Sequence, residues 1–344
     1  MRNKEKAGLH GPLLVAWLLS SLLLPLFAPR GAAGQTRTNF ASSVTSESMT
    51  AVWVARERGL FKKHGLDMQY IVMPRSPLAV AALIAGEIDM AIIGPGHLLS
   101  AGTGGADLIG IANFFQKLDY RLNVRPDMKK ADDLRGKRVA ISGPGSTSHM
   151  VTLLALQGLH IDPAQAKITL LTIPGTELNR RLALETGSVD ATTLRGSVGD
   201  LYGKKGYNVL YNFRGSGMTL PQSMLVTTRR IAASKPEVIE AYLKTMIEAI
   251  AYVLDPASKE IVTRTLATNL RLSNLADAEE SYHSVVASYE RVPYTNAEGM
   301  KRLHGLLSTI NPKISEVRAD SVIDNSFINK LEKSGFIQSV AKKP

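Results

Sequence analysis

The chain has 344 residues and no cysteine, and 41 Lys and Arg against 30 Asp and Glu give it a net charge of +11. Without cysteine it can form no disulfide and cannot be lipidated at an export junction, so its stability must come from a packed core. Aromatic residues are 6% of the chain and its cations are dispersed, which argues against nucleic-acid binding.

The N-terminus has three parts. Arg2, Lys4 and Lys6 form a basic start, residues 12–28 run PLLVAWLLSSLLLPLFA, and Gly31-Ala32-Ala33-Gly34 precedes a polar chain. This is the layout of a secretory signal peptide, residues 1–34, cleaved near Ala33 or Gly34. The cations stay on the cytoplasmic side, the apolar run enters the bilayer and the small residues fit a peptidase cleft. A retained membrane anchor is the alternative, but the run is short for a full span and is broken by Pro25. No later stretch stays apolar long enough to span a membrane. The remainder, about 310 residues, exceeds what one compact core usually holds, so two lobes are expected. That part is expected to be soluble, periplasmic or extracellular, and monomeric. The leader accounts for +3 through Arg2, Lys4, Lys6 and Arg30 against Glu5, leaving +8 on the mature part. This charge permits a bias toward anionic ligands.

From Gln35 onward, short strand-like and helix-like segments alternate, the pattern of an α/β fold with parallel strands. The spacing predicts strands over 38–43, 67–73, 88–93 and 107–115. Helices are predicted over 49–58 and 77–85, each stopped by a glycine, Gly59 and Gly86. Gly94-Pro95-Gly96 reads as a turn. Residues 122–125 read as a crossover, after which the pattern restarts: strands over 137–141, 168–173, 189–194 and 207–213, and helices over 147–157 (closed by Gly158), 177–185 and 196–204. A returning strand is predicted over 222–228. The last third is mostly helical. Ser234-Lys235-Pro236-Glu237 reads as a capping box. Beyond it Val238, Ile239, Tyr242, Leu243, Met246, Ile247, Ile250 and Val253 give one apolar, core-facing stripe. Asp255-Pro256 begins a further helix.

One internal echo stands out. Leu83-Ile84-Ala85-Gly86-Glu87-Ile88-Asp89 and Leu184-Glu185-Thr186-Gly187-Ser188-Val189-Asp190 keep Leu, Gly, an aliphatic residue and Asp at identical spacing. It reads as a helix-to-strand joint used once per lobe, its aspartates stabilising the joint rather than performing catalysis.

Ligands of open α/β sheets bind beyond the carboxyl ends of strands. Three hydroxyl- or glycine-rich turns fall there: Ser42 to Ser48, Gly94 to His97, and Ser142 to Thr147. In the third, Gly143 and Gly145 allow close backbone approach, and Ser146 or Thr147 opens a helix whose free N–H groups favour an oxyanion. The plainer reading of Ser146 is an N-cap, and both roles are compatible. The GxG is not a dinucleotide fingerprint, because the third glycine is missing. No HExxH, Walker lysine or GxSxG motif occurs. His97 and His149 lie near these turns without a catalytic pattern. No metal, cofactor or catalytic residue is expected.

Four strings complete the reading: Val54-Ala55-Arg56-Glu57-Arg58-Gly59-Leu60-Phe61-Lys62-Lys63-His64-Gly65-Leu66; Leu83 to Ile93; Asp133-Leu134-Arg135-Gly136-Lys137-Arg138-Val139-Ala140; and Gly187-Ser188-Val189-Asp190-Ala191. In this order and spacing, residues about 40–215 resemble the periplasmic substrate-binding proteins of ABC importers of the nitrate/sulfonate/taurine type, related to the thiamine-pyrimidine-precursor binding group. The resemblance implies a type II periplasmic-binding-protein-like α/β fold of two lobes and a hinge, with the C-terminal helices packed on lobe 1. Lobe 1 would comprise residues 35–120 and 215–344, and lobe 2 residues 121–214. It implies a non-enzymatic protein that closes on a small-molecule ligand and delivers it to a membrane permease. The cleft would be lined by Ser43, Glu47, Ser48, Met49, Gly94, Pro95, His97, Ser142, Gly143, Gly145, Ser146, Thr147, Thr193, Arg195 and Thr219. Two segments depart from the family pattern: Thr193-Leu194-Arg195-Gly196 replaces a proline-bearing loop, and Leu182 to Thr186 looks stretched. Arg195 reads equally as an anion clamp or as a surface cation starting a helix. Alternatives on the same fold are an enzyme acting on a pyrimidine or quinone precursor and a sensory protein that presents its ligand to a receptor.

Overall fold

A computed structural model describes residues 35–43, 46–175, 177–272 and 274–341. The expected leader, residues 1–34, lies outside the described residues. The strands are β1 (Thr36–Ser42), β2 (Leu66–Val72), β3 (Met90–Ile93), β4 (Leu108–Asn113), β5 (Tyr120–Val124), β6 (Arg138–Ile141), β7 (Thr169–Thr172), β8 (Ala191–Arg195), β9 (Asn208–Asn212) and β10 (Met224–Thr228). The helices up to the last strand are α1 (Thr50–Glu57), α2 (Leu60–Lys63), α3 (Ser76–Ala85), α4 (Pro95–Gly102), α5 (Thr147–Gly158), α6 (Glu177–Glu185) and α7 (Gly196–Lys204). After it come α8 (Arg229–Ser234), α9 (Pro236–Leu254), α10 (Lys259–Leu270), α11 (Leu275–Ser288), α12 (Ala297–Ser308), α13 (Ser326–Lys333) and α14 (Phe336–Ala341).

The strands form two five-stranded sheets, ordered β2-β1-β3-β10-β4 and β7-β6-β8-β5-β9. In each, the first three strands are parallel and the fourth is antiparallel to both neighbours. The antiparallel strand is the one the chain supplies from across the crossover: β10 returns to the first sheet, and β5 enters the second. The two crossing segments pair with each other at an antiparallel bridge between Lys117 and Thr219.

Register makes the lobes superposable on paper. Phe40 pairs with Met90 in the first sheet, and Val139 with Ala191 in the second. Ser42 pairs with Val72, and Ile141 with Thr172. Residue 43 therefore corresponds to 142, 74 to 174, and 94 to 195. The repeated joints do the same work in each lobe. Gly86 and Gly187 end their helices at φ +76° and +71°, a conformation costly for other residues. Asp89 then accepts from the Asn39 N–H at 2.9 Å, from Thr38 at 3.0 Å and from Lys235 at 2.7 Å. Asp190 accepts from the Arg138 N–H at 2.9 Å and from its guanidinium at 3.1 Å. Each aspartate fastens the entry of one strand to the next strand's backbone.

The helical third supplies half of the buried residues in the first lobe's main core. All eight apolar positions foreseen on α9 are buried, and α9 packs against α1, α2, α13 and α14. Each such side chain contributes about 1.5–3 kcal/mol by leaving water. The C-terminal helices cover the first lobe, and α11 additionally reaches α7 of the second.

Three local readings need correction. Gly94-Pro95-Gly96 is not a free turn but the start of α4, because Pro95 at the first helical position needs no N–H partner. The capping box at Ser234 does not form: Ser234 is the last residue of α8, Lys235 is the N-cap of α9, and neither side chain caps it. The cap in this region is one helix earlier, where Thr228 Oγ1 accepts from the Ile231 N–H at 3.1 Å. Gly158 does not close α5 in a left-handed turn; it is the last helical residue, and a Cβ there would lie 2.3 Å from the Tyr211 ring. Among the described residues no helix is long and apolar enough to cross a membrane.

Candidate functional site

The ends of the parallel strands converge on one cavity of about 290 Å³ between the lobes. Four of them run straight into helices: β1 into the turn Glu47–Met49 and α1, β3 into α4, β6 into α5, and β8 into α7. The N-terminal ends of these helices, and with them the positive ends of their dipoles, lie on this side of the sheets.

Of the residues foreseen for the cleft, Ser43, Gly94, His97, Ser142, Gly143, Ser146, Thr147 and Arg195 line the cavity. The others do not line it. Glu47 is buried and accepts from Ser197 Oγ of the opposite lobe at 2.6 Å. Ser48 shares a hydrogen bond with Ser223 at 2.7 Å. Met49 is buried beside Ser42, whose hydroxyl lies 3.3 Å from its sulfur. Pro95 is buried in the first turn of α4. Gly145 presses its backbone against Gly96, and its N–H donates to His149 Nδ1 at 3.1 Å. Thr193 is buried against Thr152. Thr219 lies on the crossing segment, where its hydroxyl accepts from Asn296 at 3.1 Å.

Sequence reasoning missed the segments that follow β2 and β7, which bring Pro74, Arg75, Ser76 and Pro77, and Pro174, Gly175 and Glu177, to the cavity, together with Tyr120, Ser148, Arg180 and Ser223. The strand-end rule would have found the two loops had it been applied to these outer strands. Nothing local marks Arg180, whose role depends on which face of α6 turns inward.

Two buried guanidiniums set the electrostatics. Arg180 donates to Ser142 Oγ at 2.5 Å and lies 3.8 Å from Glu177, while its Nε has no partner among the described residues. Arg195 is 6% exposed and stacks on Phe115 and Tyr120, 4.8 and 5.1 Å from their ring centroids. Its backbone N–H donates to Glu177. Its guanidinium makes no hydrogen bond or ion pair with any described residue, so although Tyr120, Glu47 and Glu177 lie close enough to favour its charge, its N–H donors remain open to a ligand on the cavity wall. Burial pushes the Glu47 carboxyl up, and Arg195 and the Ser197 hydroxyl only partly offset this. His97 and His149 stand on opposite lobes, close enough to influence each other. Burial holds both at about 4, His97 being lowered further by His149, so both are neutral near pH 7. Both buried cavity cations belong to the second lobe, the first lobe's Arg75 being exposed: by the sheet register, first-lobe Gly94 corresponds to Arg195. Among the described residues no cluster of three His, Asp or Glu could hold a metal.

A family model described as NMT1/THI5-like matches residues 46–258. The chain belongs to this family. The matched stretch covers the crossing segments, all of the second lobe and most of the first lobe's sheet. A protein of Brucella abortus named as a binding protein is 33% identical over 131 residues, 38% of this chain, and the chain spans about two-fifths of the length of the curated relatives it matches. Among solved structures, the alkanesulfonate-binding protein SsuA of Xanthomonas axonopodis pv. citri, bound to MOPS, is similar with a TM-score of 0.69 and 19% identity, covering 85% of this chain and 99% of its own. The periplasmic nitrate-binding protein NrtA of Synechocystis PCC 6803 has a TM-score of 0.68 and 15% identity, covering 87% and 89%. The desulfurization enzyme DSZB has a TM-score of 0.60 and 16% identity, covering 87% and 99%. The fold is thus the one used by periplasmic binding proteins of the sulfonate and nitrate type, and one neighbour on it is an enzyme.

Proposed function

We propose that this chain is an extracytoplasmic solute-binding protein that takes a small organic anion into its interlobe cleft and delivers it to an ABC-type permease. Residues 1–34 would export it, residues 35–120 with 215–344 would form the first lobe, and residues 121–214 the second. The unpaired Arg195 guanidinium carries this reading. A guanidinium held charged on the cavity wall with its N–H donors unused can give an oxyanion two-pronged, charge-assisted hydrogen bonds. The Ser43, Ser142 and Ser146 hydroxyls and the converging helix N-termini supply further donors. The sulfonate and nitrate named for two structural neighbours are both oxyanions, which agrees with this charge pattern.

Calorimetry of the purified protein against acetate, benzoate, methanesulfonate, benzenesulfonate and nitrate tests the reading. At least one anion is expected to bind with a stoichiometry of one and to be recovered chemically unchanged. Arg195→Gln is expected to weaken that binding by roughly 10- to 100-fold, the worth of hydrogen bonds to a charged group. Absence of binding across the panel, or equal binding by Arg195→Gln, counts against the anion site. Recovery of an altered molecule would favour an enzyme.

A further inference from the structure

The walls of the cavity are chemically divided. Its buried part is rich in donors: Arg195, Arg180, Ser148 and Ser223 are all less than a tenth exposed. Its exposed rim comprises Pro74, Arg75, Pro77, Pro144, Thr172, Pro174 and Gly175, four of these seven being proline. Four of the chain's 16 prolines stand among the cavity's 22 lining residues, several times their share of the chain. Three of them, Pro74, Pro144 and Pro174, come from the loops after β2, β6 and β7, and Pro77 stands in the first turn of α3. Pro74 and Pro174 occupy corresponding positions in the two lobes by the sheet register, so each lobe contributes a proline ring to the rim. Proline brings no N–H, so these positions donate nothing to a polar tail. Its ring is apolar and already rigid, and gripping a ligand costs it little entropy. The one charged residue among them, Arg75, is a planar cation of the kind that lies over aromatic faces.

We infer that the ligand is an aromatic carboxylate or sulfonate of a single ring, its oxyanion held by the buried arginines and its ring clasped between the proline loops. Size agrees: about 290 Å³ is at the low end for small-molecule sites and admits an oxyanion head plus one ring. The inference rests on the anion-binding reading above and narrows it to a class of ligand.

The experiment compares benzenesulfonate with methanesulfonate, and benzoate with acetate, by calorimetry on the wild-type protein and on a Pro74→Ser/Pro174→Ser double variant. The aromatic anion is expected to bind at least about tenfold more tightly than its one-carbon partner, since the ring's burial adds to an unchanged head contact. The double variant is expected to lose most of that ratio and to keep the small anion's affinity, both substitutions being at exposed positions. Equal affinity of the small and aromatic anions, or a ratio unchanged by the proline substitutions, overturns the inference and leaves the anion site standing. Absence of binding by every anion overturns both. If the double variant does not fold, the wild-type ratio alone decides.

Discussion

At the scale of single residues, the informative feature is ionisable groups buried where a ligand or the other lobe must meet them. His97 and His149 show it most simply. Both are held at about 4, so the folded chain resists protonating them while an unfolded chain takes up protons below about 6.5. The sign follows. Above the unfolded value neither state binds these protons and stability is unaffected. Between about 6.5 and 4 the unfolded state gains protons and stability falls, and below 4 the loss levels off. Urea midpoints measured from pH 7.5 to 4 are expected to drop, and a His97→Gln/His149→Gln variant to drop less. Parallel profiles would show that these rings do not cause the loss. Sequence placed both histidines near the cleft but could not show that they lie close enough to influence each other, because they stand 52 positions apart on opposite lobes. Arg195 was legible as a cation at a strand end, and its ambiguity between clamp and surface residue was real. Only its burial on Phe115 and Tyr120, with no acceptor, separates the two.

Elements are where local chemistry and its neighbours compete. The Leu-Gly-Asp joints were readable because their three demands are local: an apolar helix end, a left-handed residue and an acceptor at strand entry. Burial by itself raises both aspartates, but hydrogen bonds from Lys235 and the Asn39 N–H at Asp89, and from Arg138 at Asp190, bring both below the ordinary value. Their stabilising contribution is present above about 3.8 and is lost as pH falls through the lowered folded values. Helix caps behaved differently. Ser234 carried the capping pattern, yet α8 absorbed it, and Pro236 set the start of α9 at Lys235. Thr228→Ala is therefore expected to cost about 1 kcal/mol and Ser234→Ala close to nothing in chemical denaturation. Equal costs would mean that the sequence-level box operates after all.

For the whole molecule, the question is how the lobes meet. Gly96 in α4 abuts Gly145 across the cleft: a Cβ at Gly96 would lie 2.4 Å from the Gly145 carbonyl oxygen. Both sides of this contact are backbone, so neither can swing away. Ser197 and Glu47 add an interlobe hydrogen bond beside it. Gly96→Val is expected to leave each lobe folded while holding the two apart. The radius of gyration in solution scattering should rise, and anion affinity should fall by at least about tenfold as the first lobe's contacts are lost. Unchanged scattering and affinity would mean that this contact does not limit closure.

The sequence by itself determined the alternation of strands and helices, the restart after the crossover, the duplicated joints and the apolar face of α9, because each follows from spacing along a short stretch of chain. It also pointed to the strand ends as the place for a ligand. Tertiary structure alone decided which strand-end residues reach the cavity and which retreat behind it. It turned Arg180 inward, buried Arg195 against Phe115 and Tyr120, brought Pro74 and Pro174 to one cavity, and set Gly96 onto Gly145. These facts join residues tens to a hundred positions apart, and the register of two sheets and the closure of two lobes fix them, which no local pattern encodes.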